Sequence, residues 1–272
     1  MRRSPSLSTS SGSETLDSAA IRLQGIVNAF GRNVVHDQLD LTVRRGEILG
    51  LVGGSGSGKS VLLRTIVGLR APQGGTVTVL GEDLYGVSPS RRRALQSRLG
   101  VLFQDGALFS SLTVRENIQV PLRERYRLKP RLLDELASVK LALVGLKPEA
   151  ADQYPSELSG GMRKRAGLAR ALALDPEIVL LDEPTAGLDP IGAAAFDELV
   201  LTLQDAMALT VLMITHDVDS LVRITDRIAV LLDKRCTVDT LDALRSSSEP
   251  WLQDYFNGPR GRAATAAVVS ER

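Results

Sequence analysis

The chain has 272 residues, of which 43% are hydrophobic and 24% charged, and its formal net charge is +1. This length suits one large α/β domain or two small ones, and the small charge excludes a strong electrostatic attraction to nucleic acid, which we do not expect as a partner. The single cysteine, Cys236, can form no internal disulfide, which fits a reducing cytosol, and we interpret it as a semi-buried apolar residue. No apolar run reaches the roughly 18 residues that span a bilayer, and the N-terminus lacks the apolar core of a signal peptide.

The predicted organisation starts with a serine-rich tail. Residues 1–18 carry almost no large apolar side chains, which predicts a disordered segment. We expect the main domain to cover residues 19–248 and a partly disordered extension to cover residues 249–272. From Ile21 to Val43 apolar and polar residues alternate loosely, as in antiparallel strands. The apolar run from Ile48 to Val52 is typical of a buried parallel strand.

The rest of the chain alternates between strand and helix patterns. Helices are predicted from about Lys59 to Leu69, from Pro89 after the N-cap Ser88, and from Ile191 to Leu209. Strands are predicted at Thr76–Leu80, Val101–Gln104, Ile178–Leu181, Val211–Thr215 and Arg227–Leu232. Between about 105 and 174 the pattern is mainly helical. This order predicts an α/β fold with a parallel core sheet, an antiparallel N-terminal β-subdomain and an inserted α-helical subdomain.

A glycine-rich loop lies between the first buried strand and the helix that follows it. The pattern G-x-x-x-x-G-K-[ST] of a phosphate loop is matched by Gly53, Gly54, Ser55, Gly56, Ser57, Gly58, Lys59 and Ser60. Backbone N–H groups of such a loop wrap phosphate oxygens, Lys59 supplies positive charge to the β- and γ-phosphates, and Ser60 offers a hydroxyl to Mg²⁺. The alternative is a flexible linker, but the flanking strand and helix favour a nucleotide site.

Two adjacent carboxylates follow the apolar run from Ile178 to Leu181. The carboxyl ends of parallel strands are where α/β sheets bind ligands. Asp182 is positioned to bind Mg²⁺ through its water shell, and Glu183 to act as a general base toward an attacking water. A solvated acidic pair at a strand end is the alternative, and the phosphate loop upstream counts against it.

The stretch LSGGM at 158–162, together with these two motifs, resembles the ATP-binding cassette (ABC) ATPases over roughly residues 20–245. The resemblance implies a P-loop NTPase core that hydrolyses ATP with Mg²⁺. It also implies that Ser159, Gly160 and Gly161 form a second phosphate site. In this family the signature and the phosphate loop of one chain serve opposite ATP molecules, so two chains would sandwich two nucleotides. Met162 departs from the commoner glutamine, which puts one polar contact in doubt.

Four further residues match ABC positions by their place in the sequence. Gln104 matches the glutamine that contacts Mg²⁺ and the attacking water, and Asp189 ends the segment AGLD, which resembles the loop that crosses the dimer interface. His216 matches the histidine that hydrogen-bonds the γ-phosphate, and Phe30 the aromatic residue that stacks on adenine, unless its ring packs in the core. His36 has no such context, and we predict a surface or turn position for it.

Two longer segments indicate a branch of the family. The runs LFQDGALF at 102–109 and LSGGMRKRA at 158–166 look like the ATPases of Mla-type systems, which serve MCE-domain lipid transporters, and residues 249–258 add to the likeness. This branch implies a homodimer on membrane permease subunits, an MCE-domain protein, a STAS-domain protein and phospholipid or another hydrophobic cargo. It places the chain in the cytoplasm, peripheral on the cytosolic face of the inner membrane.

Other functions remain open at this point. The first alternative is the ATPase of a polar-nutrient importer, and the second is a membrane-recruited scaffold with an idle ATPase, which intact Glu183 and His216 count against. Chromosome-organising and repair ATPases insert a long coiled coil before the signature, and translation factors carry two cassettes, so both fit poorly.

Two surface features also allow two interpretations each. The basic run Arg123–Arg131 is either a solvated face or a contact for anionic lipid headgroups. The aromatic face formed by Trp251, Tyr255 and Phe256 either folds back on its own domain or docks on a neighbouring subunit.

Overall fold

Two β-sheets organise the structure, a computed structural model that describes residues 19–258. The tail at residues 1–18, for which disorder is predicted, lies outside the described residues, and so do residues 259–272 of the extension that is predicted to be partly disordered. The strands are β1 (Ala19–Phe30), β2 (Asn33–Arg44), β3 (Ile48–Gly53), β4 (Gly74–Val79), β5 (Glu82–Asp83), β6 (Leu99–Leu102), β7 (Ile178–Asp182), β8 (Thr210–Ile214), β9 (Arg227–Leu232) and β10 (Arg235–Asp239). The helices are α1 (Lys59–Ile66), α2 (Pro89–Gln96), α3 (Val114–Arg125), α4 (Pro130–Leu143), α5 (Gly160–Ala171), α6 (Pro190–Met207), α7 (Val218–Ile224), α8 (Leu241–Arg245) and α9 (Pro250–Asn257).

The two sheets differ in strand direction. The smaller one has the order β2-β1-β4-β5 and is antiparallel. The larger one has the order β10-β9-β3-β8-β7-β6, and only its edge pair, β10 with β9, is antiparallel. Three helices, α3 to α5, lie between β6 and β7 in the chain. The predicted α/β fold, with its parallel core sheet, antiparallel N-terminal sheet and helical insertion, is therefore confirmed.

The parallel sheet is buried on both faces, which explains its continuous apolar strands. Every residue of β8 is buried, and so are the residues of β7 up to Leu181. One face packs against α1 and the antiparallel sheet, and the other against α5 and α6. Because β3, β7 and β8 run parallel, the loops after their carboxyl ends meet at one edge of the sheet.

One helix and one strand end earlier in the structure than the sequence predicts, and the local backbone explains both differences. The first helix ends at Ile66 and not near Leu69, because Gly68 adopts a φ of 80° that stops an α-helix. The strand predicted to reach Gln104 ends at Leu102, because Gln104 begins a short 3₁₀ turn. A capping box between Thr113 and Glu116 begins α3. Across residues 19–258, no helix combines the length and apolar character needed to cross a bilayer.

The C-terminal helix α9 folds back on its own domain, which settles the open interpretation of its aromatic face. Leu252 and Phe256 are buried in a cluster with residues of β3, α7, β9 and α8. Trp251 stacks on Tyr255 at 4.7 Å between ring centroids, and Tyr255 meets Phe256 edge-on at 5.0 Å. Residues 250–257 of the predicted extension are therefore a packed helix.

We expect Phe256→Ala to destabilise the isolated chain by about 3–5 kcal/mol, because it removes a fully buried ring and leaves a cavity. Thermal or urea unfolding measures this effect. Asp254→Ala on the exposed side of the same helix is the matched control and should unfold like the wild type. A Phe256→Ala chain as stable as that control would show that α9 does not contribute to the domain core.

Candidate functional site

The phosphate loop follows β3 and leads into α1, as the sequence predicts. Lys59 Nζ donates to the carbonyls of Gly53 at 2.7 Å and Gly54 at 3.0 Å, so the lysine closes over its own loop. Burial lowers the pKa of Lys59, while Glu183 and Asp182 act to raise it. The cleft above the loop has a volume of about 260 Å³ and is lined by Val35, Gly56, Gly58, Lys59, Ser60 and Val61. Its lining is suited to an anionic group.

Gly58 explains the glycine pattern and also corrects the prediction for His36. Gly58 has a φ of 102°, and a Cβ there would lie 2.5 Å from Nε2 of His36. The surface or turn position predicted for His36 is wrong, because its side chain points inward from β2 and is 0% exposed. Asn28 bridges it to α1, with Nδ2 3.0 Å from His36 Nδ1 and 3.1 Å from Thr65 Oγ1. Burial lowers the pKa of His36 to about 4, so the ring is neutral at physiological pH.

The two carboxylates lie at the carboxyl end of β7. Burial raises the pKa of Asp182, and the neighbouring Glu183 raises it further, while Lys164 and Lys59 act in the opposite direction. Glu183 has a φ of 50°, a region that non-glycine residues rarely adopt and that costs about 1–3 kcal/mol. Its backbone N–H donates to the carbonyl of Ile214 at 2.8 Å, which ties β7 to β8. The strained backbone is held in place from the neighbouring strand.

The structure brings His216 to Glu183. His216 follows β8, and its Nδ1 lies 2.7 Å from Glu183 Oε2. The imidazole is largely exposed, whereas the carboxylate is mostly buried. Next to this pair lies a cleft of about 450 Å³, lined by Glu183, Thr185, Ala186, Gly187, His216, Asp217, Val218 and Asp219. A carboxylate and an imidazole that share a cleft can take and hold a proton from a bound water.

The predicted Mg²⁺ ligands offer only oxygen donors. They are the Ser60 hydroxyl at the start of α1, the Asp182 carboxylate and the exposed Gln104 amide. Mg²⁺ prefers oxygen and is usually held by one or two carboxylates together with substrate phosphates, so this donor set fits. A divalent cation would also favour the ionised form of Asp182, whose pKa the protein raises.

Phe30 ends β1 with half of its side chain exposed, so it does not pack in the core. The Arg70 guanidinium lies 3.9 Å from the centroid of its ring and also donates to the carbonyl of Ala29. The ring is thereby held on one face. Because Phe30 is half exposed, its ring is available to a flat partner from solvent.

The signature lies at the start of α5 and does not line the cleft over the phosphate loop. Ser159 caps this helix by accepting from the backbone N–H of Met162 at 3.2 Å. The Met162 side chain packs against the apolar core that includes buried residues of α3 to α6. Asp189 caps α6 by accepting from Gly192 at 2.8 Å. A cleft of about 180 Å³ between the two helix starts is lined by Gly160, Arg163, Lys164, Ala186, Gly187 and Leu188.

Sequence reasoning missed Lys164 and Arg70. Lys164 lies within the signature helix, and its Nζ donates to the carbonyl of Glu183 at 2.9 Å. It is buried, which is rare for lysine. Arg70 follows α1 and supports Phe30. Both residues contact partners that are distant in the sequence, so local motifs do not reveal them. The run of basic residues after the signature is the one sequence feature that could have indicated Lys164.

Comparison with known proteins gives the family. A family model described as ABC transporter matches residues 36–186. The chain is 39% identical over 229 residues to the intermembrane phospholipid transport system ATP-binding protein MlaF of Escherichia coli, which covers 84% of this chain and 85% of that one. It is 38% identical over 242 residues to the probable ribonucleotide transport ATP-binding protein mkl of Mycobacterium tuberculosis, and this match covers 89% of this chain and 67% of that one.

One further relative is named for a different transport activity, and one solved structure shows a dimeric cassette. The methionine import ATP-binding protein MetN of Lacticaseibacillus paracasei is 41% identical over 241 residues, covering 87% of this chain and 68% of that one. The dimeric post-hydrolysis structure of the ATP-binding cassette MJ0796 with ADP and Pi matches with a TM-score of 0.74 at 28% identity. The match covers 81% of this chain and 98% of that one. The chain therefore belongs to the ABC transporter family, as the subunit that binds and hydrolyses ATP.

Proposed function

We propose that this subunit powers the movement of phospholipid or another hydrophobic molecule between membranes. The observation that carries the proposal is the match to MlaF, which spans most of both chains, at 84% and 85%. The matches to mkl and MetN leave about a third of those proteins uncovered. The segments 102–109 and 158–166, which resemble Mla-type ATPases, support the same branch. The chain would work at the cytosolic face of the inner membrane.

For the hydrolysis step, the family resemblance and the geometry at the sheet edge support the following roles. The phosphate loop and Lys59 would hold the β- and γ-phosphates. Ser60, Asp182 and Gln104 would hold Mg²⁺, which would supply positive charge to the phosphates. Glu183 takes the proton of the attacking water. His216 lies 2.7 Å from the Glu183 carboxylate and orients it, and His216 would also hydrogen-bond the γ-phosphate. Phe30 stacks on adenine.

Two chains complete each site in this proposal. The cleft over the phosphate loop is lined by Val35 and by residues of the loop and the start of α1, whereas the signature lies in the helical subdomain. The start of α5 offers backbone N–H groups and the Ser159 hydroxyl to a phosphate of the partner chain's ATP. Asp189 ends the loop that would cross between the chains, and the exposed Ile191 follows it.

The permease would bind beside Gln104. Asn117 is buried at the start of α3, where its side chain accepts from the Phe109 N–H at 2.8 Å and donates to the Phe109 carbonyl at 3.1 Å. This clamp fixes the backbone of Phe109 while its ring remains 51% exposed. An exposed ring on a fixed backbone is suited to a short helix of a permease. Closure around ATP would move this contact and the permease with it.

A polar-nutrient importer is the second candidate, and the 41% identity to MetN favours it. Purifying the membrane complex through a tag on this chain separates the two. We expect a permease, an MCE-domain protein and a STAS-domain protein to co-purify, with bound phospholipid. Co-purification with a soluble amino-acid or sugar receptor would contradict the lipid proposal and support the importer.

A further inference from the structure

A carboxylate with one neutral partner is buried between α6 and α7. Asp197 is 3% exposed, and its Oδ2 accepts from the Ser220 hydroxyl at 2.8 Å. Its Oδ1 makes no hydrogen bond in the structure. Burying a carboxylate without full hydrogen bonding is costly, so a chain selected only for stability would favour an apolar residue here.

The two helices joined by this hydrogen bond each begin at the candidate site. Asp189 caps α6 and ends the loop that contains Gly187. Asp217 caps α7 and directly follows His216. The Ser220 hydroxyl lies 3.4 Å from Asp217 Oδ2, so it is placed between two carboxylates. A hydroxyl has one hydrogen and can donate it to only one of them at a time.

We propose that Asp197 is a positioning residue for His216, because the Ser220 hydroxyl donates to Asp197 when Asp197 is ionised and to Asp217 when Asp197 is protonated. The proposal rests on the role given above to His216. Protonated Asp197 donates its own O–H to Ser220 Oγ, which frees the serine hydrogen for Asp217. The cap beside His216 then changes while no covalent bond does.

Burial and the charges around Asp197 place this change near pH 6. The pKa of Asp197 is raised to about 6, chiefly by burial and also by Asp217 and Asp219, against the opposing effects of the Ser220 hydrogen bond and of Arg223 on α7. Because folding raises the pKa of Asp197, the free energy of unfolding falls progressively as pH rises from 3.8, the ordinary pKa of this carboxyl, to about 6. Above that range the folded chain carries a buried charge.

The test is the pH profile of ATPase turnover between pH 5.5 and 8.5, measured on the purified transporter complex. We expect the wild-type kcat to fall about three- to tenfold as pH drops through about 6, with little change in KM. Asp197→Asn is nearly isosteric, and its amide donates to Ser220 at every pH. This variant should therefore lose the step and show the low kcat throughout. Ser220→Ala removes the link and should also lose the step.

Asp205→Asn is the control, because it makes the same change at an exposed position of the same helix. It should keep the wild-type profile. Unfolding at pH 8 provides a second measurement, in which Asp197→Asn is expected to be more stable than the wild type. A step that survives in Asp197→Asn with the same midpoint belongs to another group and overturns the proposal. A wild-type complex without turnover at any pH would instead overturn the roles given to Glu183 and His216.

Discussion

Replacing Glu183 with glutamine is expected to lower ATP turnover by about 10²–10⁴-fold while ATP binding persists. The substitution keeps the shape of the side chain and removes its ability to take a proton. The backbone N–H of Glu183 remains bonded to Ile214 and its carbonyl to Lys164, so the strained φ should survive. The variant should therefore accumulate as an ATP-bound dimer, measured by size-exclusion chromatography with ATP.

Two comparisons make this prediction specific. Lys59→Ala should fail earlier, by weakening ATP binding, because the loop loses the charge that faces the β- and γ-phosphates. Glu198→Gln makes the same change as Glu183→Gln at an exposed position of α6 and should leave turnover unchanged. Near-normal turnover in Glu183→Gln would remove this residue from the general-base role.

Ser159→Arg is expected to abolish turnover in a dimer of identical chains. Its side chain would place bulk and charge where the partner chain's γ-phosphate binds, and both sites of the dimer would carry the lesion. Ser138→Arg on the exposed side of α4 makes the same substitution away from the site and should be active. Steady-state phosphate release measures both variants.

Mixing Ser159→Arg chains with Lys59→Ala chains tests how the sites are shared. In a mixed dimer both lesions fall in one site, and the other site carries neither. We expect turnover to return in the mixture, although each variant alone is inactive. A mixture as inactive as its parents, with mixed dimers demonstrated, would indicate either that each chain builds its own site or that both sites must be intact.

The residues of the candidate site that the sequence identified are those that local motifs encode. Lys59 and Asp182 lie where a strand end meets a loop, and a parallel sheet collects such ends at one edge. His36 was placed wrongly because a histidine in an alternating strand gives no sign of which side it faces. Only the packing of β2 on α1 buries it with Asn28.

Contacts across long sequence separations could not be predicted. Lys164 reaches the Glu183 carbonyl, and Ser220 reaches Asp197, only after the helices pack. The strain at Glu183 was also invisible, because a positive φ outside glycine follows from tertiary constraint. The sequence pattern predicted the aromatic face of α9 but not the surface on which it packs. The structure shows that this surface is the apolar cluster that contains Val52.

Disulfide crosslinking between Ser55→Cys and Ser159→Cys is the most direct test of an ATP sandwich made by two chains. Burial raises the pKa of the native Cys236 thiol to about 12, so this thiol should not interfere. In a Glu183→Gln background, oxidation with ATP and Mg²⁺ should yield a covalent dimer, and oxidation without nucleotide should not. A link within a single chain, or a dimer that forms equally without ATP, would contradict the account.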